Sequence, residues 1–208
     1  FPIFDIKGRV LGFGCRVLDE SLPKYINSPE TLVYTKGRNL YGLNFAKEAI
    51  RENDSVVVVE GYMDFTIPFQ HGFKNITASL GTALTTEQVR LLKRYTNNVV
   101  MVYDSDSAGE LATLRSMDIF IEEEVNLKVV SLPKGCDPDT FVRKAGVESF
   151  RKEVEDAADI FDYKLNILTS RFDIKDAVNK AKVCGLMLET INKLKNAILK
   201  DEYLHKLS

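Results

Sequence analysis

The chain has 208 residues, 45% of them apolar and 28% charged, which is globular composition with enough apolar content for a packed core and enough length for one large domain or a domain with an appendage. Its net charge of −2 carries no argument about nucleic acid, and its longest apolar runs are strand-length, which excludes a membrane-spanning helix. Cys15, Cys136 and Cys184 stand far apart, no CxxC pair exists, and His71 and His205 are distant, which argues against a zinc site or a disulfide framework in this chain and for a cytoplasmic setting.

Residues 1–52 read as a β-rich, irregular segment. Two glycines interrupt the apolar run Val10–Leu18, as in a bent strand pair, and Ser21–Tyr41 has loop composition. From Lys7 to Lys47 seven basic residues face three acidic ones, a local excess of four positive charges. Such a front beside an acidic site suits a polyanion; uneven surface charge explains it equally well. Residues 55–132, within a unit bounded at 53–145, alternate strand and helix, with strands at 55–60, 76–79, 99–104 and 127–132 and helices at 62–70, 85–95 and 107–124. Thr85 with Gln88, and Ser107 with Glu110, match capping boxes. Alternating βα units imply a parallel sheet with right-handed crossovers. From about 138 the pattern turns helical, and 146–208 reads as a helical subdomain in which Val178, Ala181, Leu186, Leu188, Ile191, Leu194 and Ile198 mark one long helix or two packed ones. The chain opens at Phe1 straight into strand-like sequence and stops within a helical pattern, which reads as a fragment or proteolytic core.

Two buried-type strands end in carboxylates. Val56–Val59 runs into Glu60-Gly61-Tyr62-Met63-Asp64, and Val99–Tyr103 runs into Asp104-Ser105-Asp106-Ser107-Ala108-Gly109. In open α/β sheets ligands bind beyond the carboxyl ends of the strands. Carboxylates gathered there repel unless a cation lies between them, and Mg²⁺ prefers hard oxygen ligands. Glu60, Asp104 and Asp106 therefore form the candidate metal core, with Glu60 as third ligand or base. The other reading makes Asp104 a helix cap and Glu60 a surface residue. Asp137-Pro138-Asp139 leaves the same sheet edge after a turn and either completes a multi-metal cluster or starts a helix. Lys24, Lys36 and Arg38 alternate with Tyr25, Tyr34 and Tyr41, a pattern that suits phosphates and bases as well as plain loop surface. No phosphate-binding Walker loop or dinucleotide fingerprint is present.

Glu60-Gly61-Tyr62-Met63-Asp64, Asp104-x-Asp106-x-Ala108-Gly109 and Asp137-Pro138-Asp139 resemble the toprim domain of bacterial DNA primases. Gly8–Gly14, Pro23–Thr31, Lys36–Leu43 and Ser79–Ala83 are similar to the same enzymes, so the resemblance runs from about Phe4 to the C-terminus. It implies a toprim-type parallel sheet flanked by helices, with a small β-rich N-terminal segment and a C-terminal helical subdomain. It also implies Mg²⁺- or Mn²⁺-dependent synthesis of short RNA primers on single-stranded DNA from ribonucleoside triphosphates. By that likeness Glu60, Asp64, Asp104, Asp106, Asp137 and Asp139 are metal-site acids. Arg16, Lys24 and Lys36 handle phosphates or nucleic acid, and Asn27, Ser28, Gly81 and Thr82 lie on nucleotide-site loops. The sequence departs from the family at Ser105 and Cys15, where glycines are usual. The replicative helicase and single-strand-binding protein are expected as partners through parts of the full protein outside this chain. The rival readings are a toprim nuclease or topoisomerase fragment and a non-catalytic nucleic-acid-binding scaffold.

Overall fold

A computed structural model describes residues 1–17, 19, 22–81, 83–103 and 117–208. The glycine-interrupted front folds as a small antiparallel sheet ordered β1 (Pro2–Phe4), β2 (Val10–Arg16), β3 (Tyr25–Asn27). A 3-10 turn, Lys36–Arg38, leads to α1 (Leu43–Asn53). This helix is an addition to the irregular segment expected over 1–52. Its buried Leu43, Ala46 and Ile50 have helical spacing, but it starts on Gly42 with no side-chain cap, so the usual start signal is missing. Gly42 has φ +80°, and a Cβ there would lie 2.2 Å from the Phe65 ring.

The central sheet follows: β4 (Val56–Val59), α2 (Tyr62–Gln70), β5 (Ile76–Ala78), α3 (Thr86–Lys93), β6 (Asn98–Tyr103), helical residues 117–122 as α4, and β7 (Asn126–Ser131). Then come α5 (Pro138–Ala145), α6 (Val147–Glu155), a two-residue β8 (Ala158–Asp159), α7 (Ile160–Arg171), α8 (Ala177–Lys193) and α9 (Ala197–Leu207). The sheet order is β5-β4-β6-β7-β8, parallel throughout except for β8, which pairs antiparallel with β7. The expected βα alternation and its parallel sheet are present. β8 was not expected, being too short to carry a periodic signal.

Every residue of β4 is buried because helices cover both faces of the sheet. Side chains alternate across a strand. Val56 and Val58 pack with Leu43, Ala46, Ile50, Val89, Leu92 and Phe120 on one side. Val57 and Val59 pack with Phe65, Ile67, Phe141 and Phe150 on the other. The C-terminal apolar series divides between two helices. Backbone at Leu194 is extended (φ −66°, ψ 130°), and Asn196 caps α9 with its side-chain oxygen. Val178 and Ile198 stay exposed, while Phe161, Leu168, Val183, Met187 and Ile191 form a separate core among α7, α8 and α9. Among the described residues no helix is long and apolar enough to cross a membrane.

The Thr85–Gln88 capping box is present, and Gln88 does more than cap. Its Oε1 accepts from Thr85 N–H (3.0 Å), and its Nε2 donates to the Lys36 and Asn39 carbonyls (3.2 and 2.8 Å). Gln88 is fully buried, so this amide holds the turn that carries Lys36. Gln88→Ala is expected to cost about 1–3 kcal/mol, since the buried amide's bonds to the half-buried Lys36 and Asn39 carbonyls and its cap on Thr85 are lost together. Urea denaturation checks it, and a loss under about 0.5 kcal/mol, typical of a plain surface change, would remove this role.

Candidate active site

The parallel strands β4, β6 and β7 end on one edge, and the sequence places acids after each. Glu60 follows the buried Val59. Its backbone is held from behind, where Gly81 N–H donates to the Glu60 carbonyl (2.9 Å) and Ser79 N–H to that of Val59 (3.0 Å). Leu80 and Gly81 both have positive φ, +64° and +72°. For leucine that region costs roughly 1–2 kcal/mol, offset here by burial of its side chain against Ile3, Tyr34 and Tyr62. At the start of α2, Asp64 Oδ2 accepts from Gly61 N–H (3.0 Å), which turns the carboxylate back toward Glu60.

Asp137 performs the bland role weighed for it: it caps α5, accepting from Thr140 N–H at 2.7 Å, with Pro138 in the first helical turn. Asp139 pairs with Arg143 one turn on. Both nonetheless line the same cleft as Glu60 and Asp64. This cleft, about 310 Å³, is walled on its other side by Arg16, Tyr25 and Asn27 of the small sheet, by Lys24 just before β3 and by Gly81. The electrostatics report the same convergence. Burial pushes the Tyr25 phenol up, the Arg16 guanidinium 5.5 Å from its ring centre opposes this, and Asp64, Asp139 and Asp137 push it further up.

Of the residues singled out in the sequence, Arg16, Lys24, Asn27, Glu60, Asp64, Gly81, Asp137 and Asp139 therefore share one cleft. Ser28 and Lys36 are not among its walls. Ser28 Oγ accepts from Phe13 N–H (2.9 Å) and braces β2, and Lys36 sits in the turn held by Gln88. Thr82, Asp104, Ser105 and Asp106, and the Ser107–Glu110 capping box, lie outside the described residues. The donors in the cleft are carboxylate oxygens, the class a hard divalent cation takes. Among the described residues no three acidic, histidine or cysteine groups gather closely enough to ligate one ion. Sequence reasoning assigned no role to Tyr62, which lines the cleft. The available signal was Gly14, whose missing side chain leaves room for the Tyr62 ring.

The family model for Toprim-like proteins matches residues 57–142, that for the N-terminal domain of the DNA primase catalytic core matches 1–47, and that for the DnaB-helicase binding domain of primase matches 161–208. The last match places a stretch similar to a helicase-binding domain within this chain, where the sequence reading puts that part outside it. Amphipathic helices with no catalytic motif give a single sequence no such signal. The DNA primase of Clostridium acetobutylicum is 49% identical over 100% of this chain, and that of Escherichia coli strain K12 is 41% identical over 96%. The chain spans 35% of the length of each, about a third. A solved DnaG primase catalytic domain, bound to single-stranded DNA, superposes with a TM-score of 0.90 at 40% identity. Since that likeness covers 100% of this chain and 68% of the solved domain, the chain belongs to the DnaG family of bacterial DNA primases.

Proposed function

We propose that this chain carries the nucleotidyl-transfer site of a DNA primase, which makes short RNA primers on single-stranded DNA from ribonucleoside triphosphates. The observation that carries this reading is the cleft in which Glu60, Asp64, Asp137 and Asp139 face Arg16, Lys24, Tyr25 and Asn27. Acids alone would repel a triphosphate, and bases alone would bind it without activating anything; one cleft with both suits metal-assisted phosphoryl transfer. Glu60, Asp64, Asp104, Asp106, Asp137 and Asp139 would hold the cation, Mg²⁺ or Mn²⁺. Bound there, it supplies activation of the primer 3′-hydroxyl and charge neutralisation on the triphosphate. Arg16 and Lys24 bind the phosphates, and Asn27 and Gly81 shape the nucleotide side of the cleft. We assign 1–52 to a basic β-rich subdomain, 53–145 to the toprim domain and 146–208 to a helical subdomain. The replicative helicase is proposed to contact 161–208 together with parts of the protein beyond this chain, where single-strand-binding protein would also bind. Work on replicating DNA in a bacterium implies a cytoplasmic protein.

The test is primer synthesis by the full-length protein on single-stranded template with labelled ribonucleotides and Mg²⁺ or Mn²⁺. RNA products support the reading, nicked DNA would favour a toprim nuclease or topoisomerase, and neither would favour a binding scaffold. Lys24→Ala is expected to weaken binding of single-stranded DNA and to lower the slope of log K against log salt by about 0.7, the loss of one phosphate contact on a single strand. A salt titration with an unchanged slope returns Lys24 to ordinary surface.

A further inference from the structure

Gly14 and Asn27 are directly paired across the β2–β3 ladder, so their side-chain positions share one face of the small sheet. That face meets Tyr62. A Cβ on Gly14 would lie 2.0 Å from the Tyr62 hydroxyl oxygen and 2.3 Å from Cζ, so only glycine admits the ring. Through that gap the Tyr62 hydroxyl donates to Asn27 Oδ1 at 2.6 Å. The ring itself has no freedom. Tyr62 is 2% exposed, stacks on Phe1 at 4.6 Å and meets Tyr41 edge-on at 4.7 Å.

A side-chain amide has one acceptor end and one donor end. With its carbonyl committed to Tyr62, Asn27 meets the cleft as a donor, which suits phosphate or ribose oxygens and not a cation. Tyr62 stands two residues after Glu60, so this bond also crosses from the acid-bearing strand end to the basic sheet. We infer that Tyr62 is a positioning residue for the incoming nucleotide: its hydroxyl orients the Asn27 amide and sets the basic sheet against the carboxylates. This rests on the proposed reading of the cleft as a nucleotide site.

The test is a double-mutant cycle in the full-length protein with Tyr62→Phe and Asn27→Ala, which keeps the ring and its stacking. Tyr62→Phe is expected to raise KM for the ribonucleotide about tenfold, the equivalent of one lost hydrogen bond, with kcat and Tm little changed. The double variant should match Asn27→Ala alone, because Tyr62 acts through Asn27. A lower Tm with unchanged KM, or additive effects, would make Tyr62 a packing residue and overturn the inference. If Asn27→Ala and Lys24→Ala both leave KM unchanged, the nucleotide reading of the cleft fails first and takes the inference with it. Should Tyr62→Phe fail to fold, Asn27→Leu keeps the size of the side chain and removes the amide without adding charge. A raised KM at unchanged Tm then supports the orientation, and an unchanged KM overturns it.

Discussion

Primer synthesis is expected to fall by about 10²-fold or more in Glu60→Gln, the scale on which a preorganised charge at a phosphoryl-transfer centre acts. The substitution keeps the shape of a side chain whose backbone is fixed by buried Val59 on one side and by the Gly81 N–H on the other. It removes one hard anionic ligand from a cleft shared with Asp64, Asp137 and Asp139. Cation affinity should fall with it, so the half-saturating Mg²⁺ concentration should rise. Removing one of several like charges relieves repulsion, so stability without metal should stay level or rise. A Mg²⁺ titration of primer synthesis beside a thermal melt checks both. Retained synthesis with a clear drop in Tm would show that Glu60 is structural.

Phe150→Ala is expected to lower stability by about 3–5 kcal/mol, the usual cost of emptying a buried aromatic site. In a chain of this size that lowers Tm by roughly 10 °C. Phe150 is fully buried on α6, edge-on to Phe73 at 5.1 Å and tilted against Phe141 of α5 at 6.4 Å. Because α5 begins at Asp137 and carries Asp139, the cavity loosens the third acidic arm of the cleft as well as the core. Synthesis should therefore fall with the folded fraction and recover on cooling, whereas Glu60→Gln should show no such recovery. Differential scanning calorimetry and activity at two temperatures separate the cases. A Tm within a few degrees of the parent would mean the helices collapse into the space.

The β4 run Val56–Val59 was legible because four consecutive apolar residues, closed by Glu60-Gly61, have the pattern of a strand buried on both faces. The Thr85–Gln88 box was legible because capping is local, decided by residues three apart. The acid motifs and their grouping at strand ends followed from the βα alternation, since parallel strands point their carboxyl ends one way. Other features depend on contacts that no local pattern encodes. α1 starts on an uncapped Gly42, and its place is set by Phe65 from a later helix. Gln88 looks like a cap, yet its amide reaches back some fifty residues to hold the Lys36 turn. Ser28 and Lys36 belong to the same stretch of sequence as Lys24 and Asn27, but only the latter two line the cleft, since Ser28 Oγ is taken up by Phe13 N–H and Lys36 sits in the turn held by Gln88. Tyr62 lies in a legible motif, and its bond to Asn27 exists only because two sheets meet where Gly14 has no side chain. Sequence by itself thus determined the strand-end acids, the parallel sheet and the family, all carried by short-range pattern. Only tertiary structure decided which basic and aromatic residues meet those acids, because that depends on packing between segments far apart in the chain.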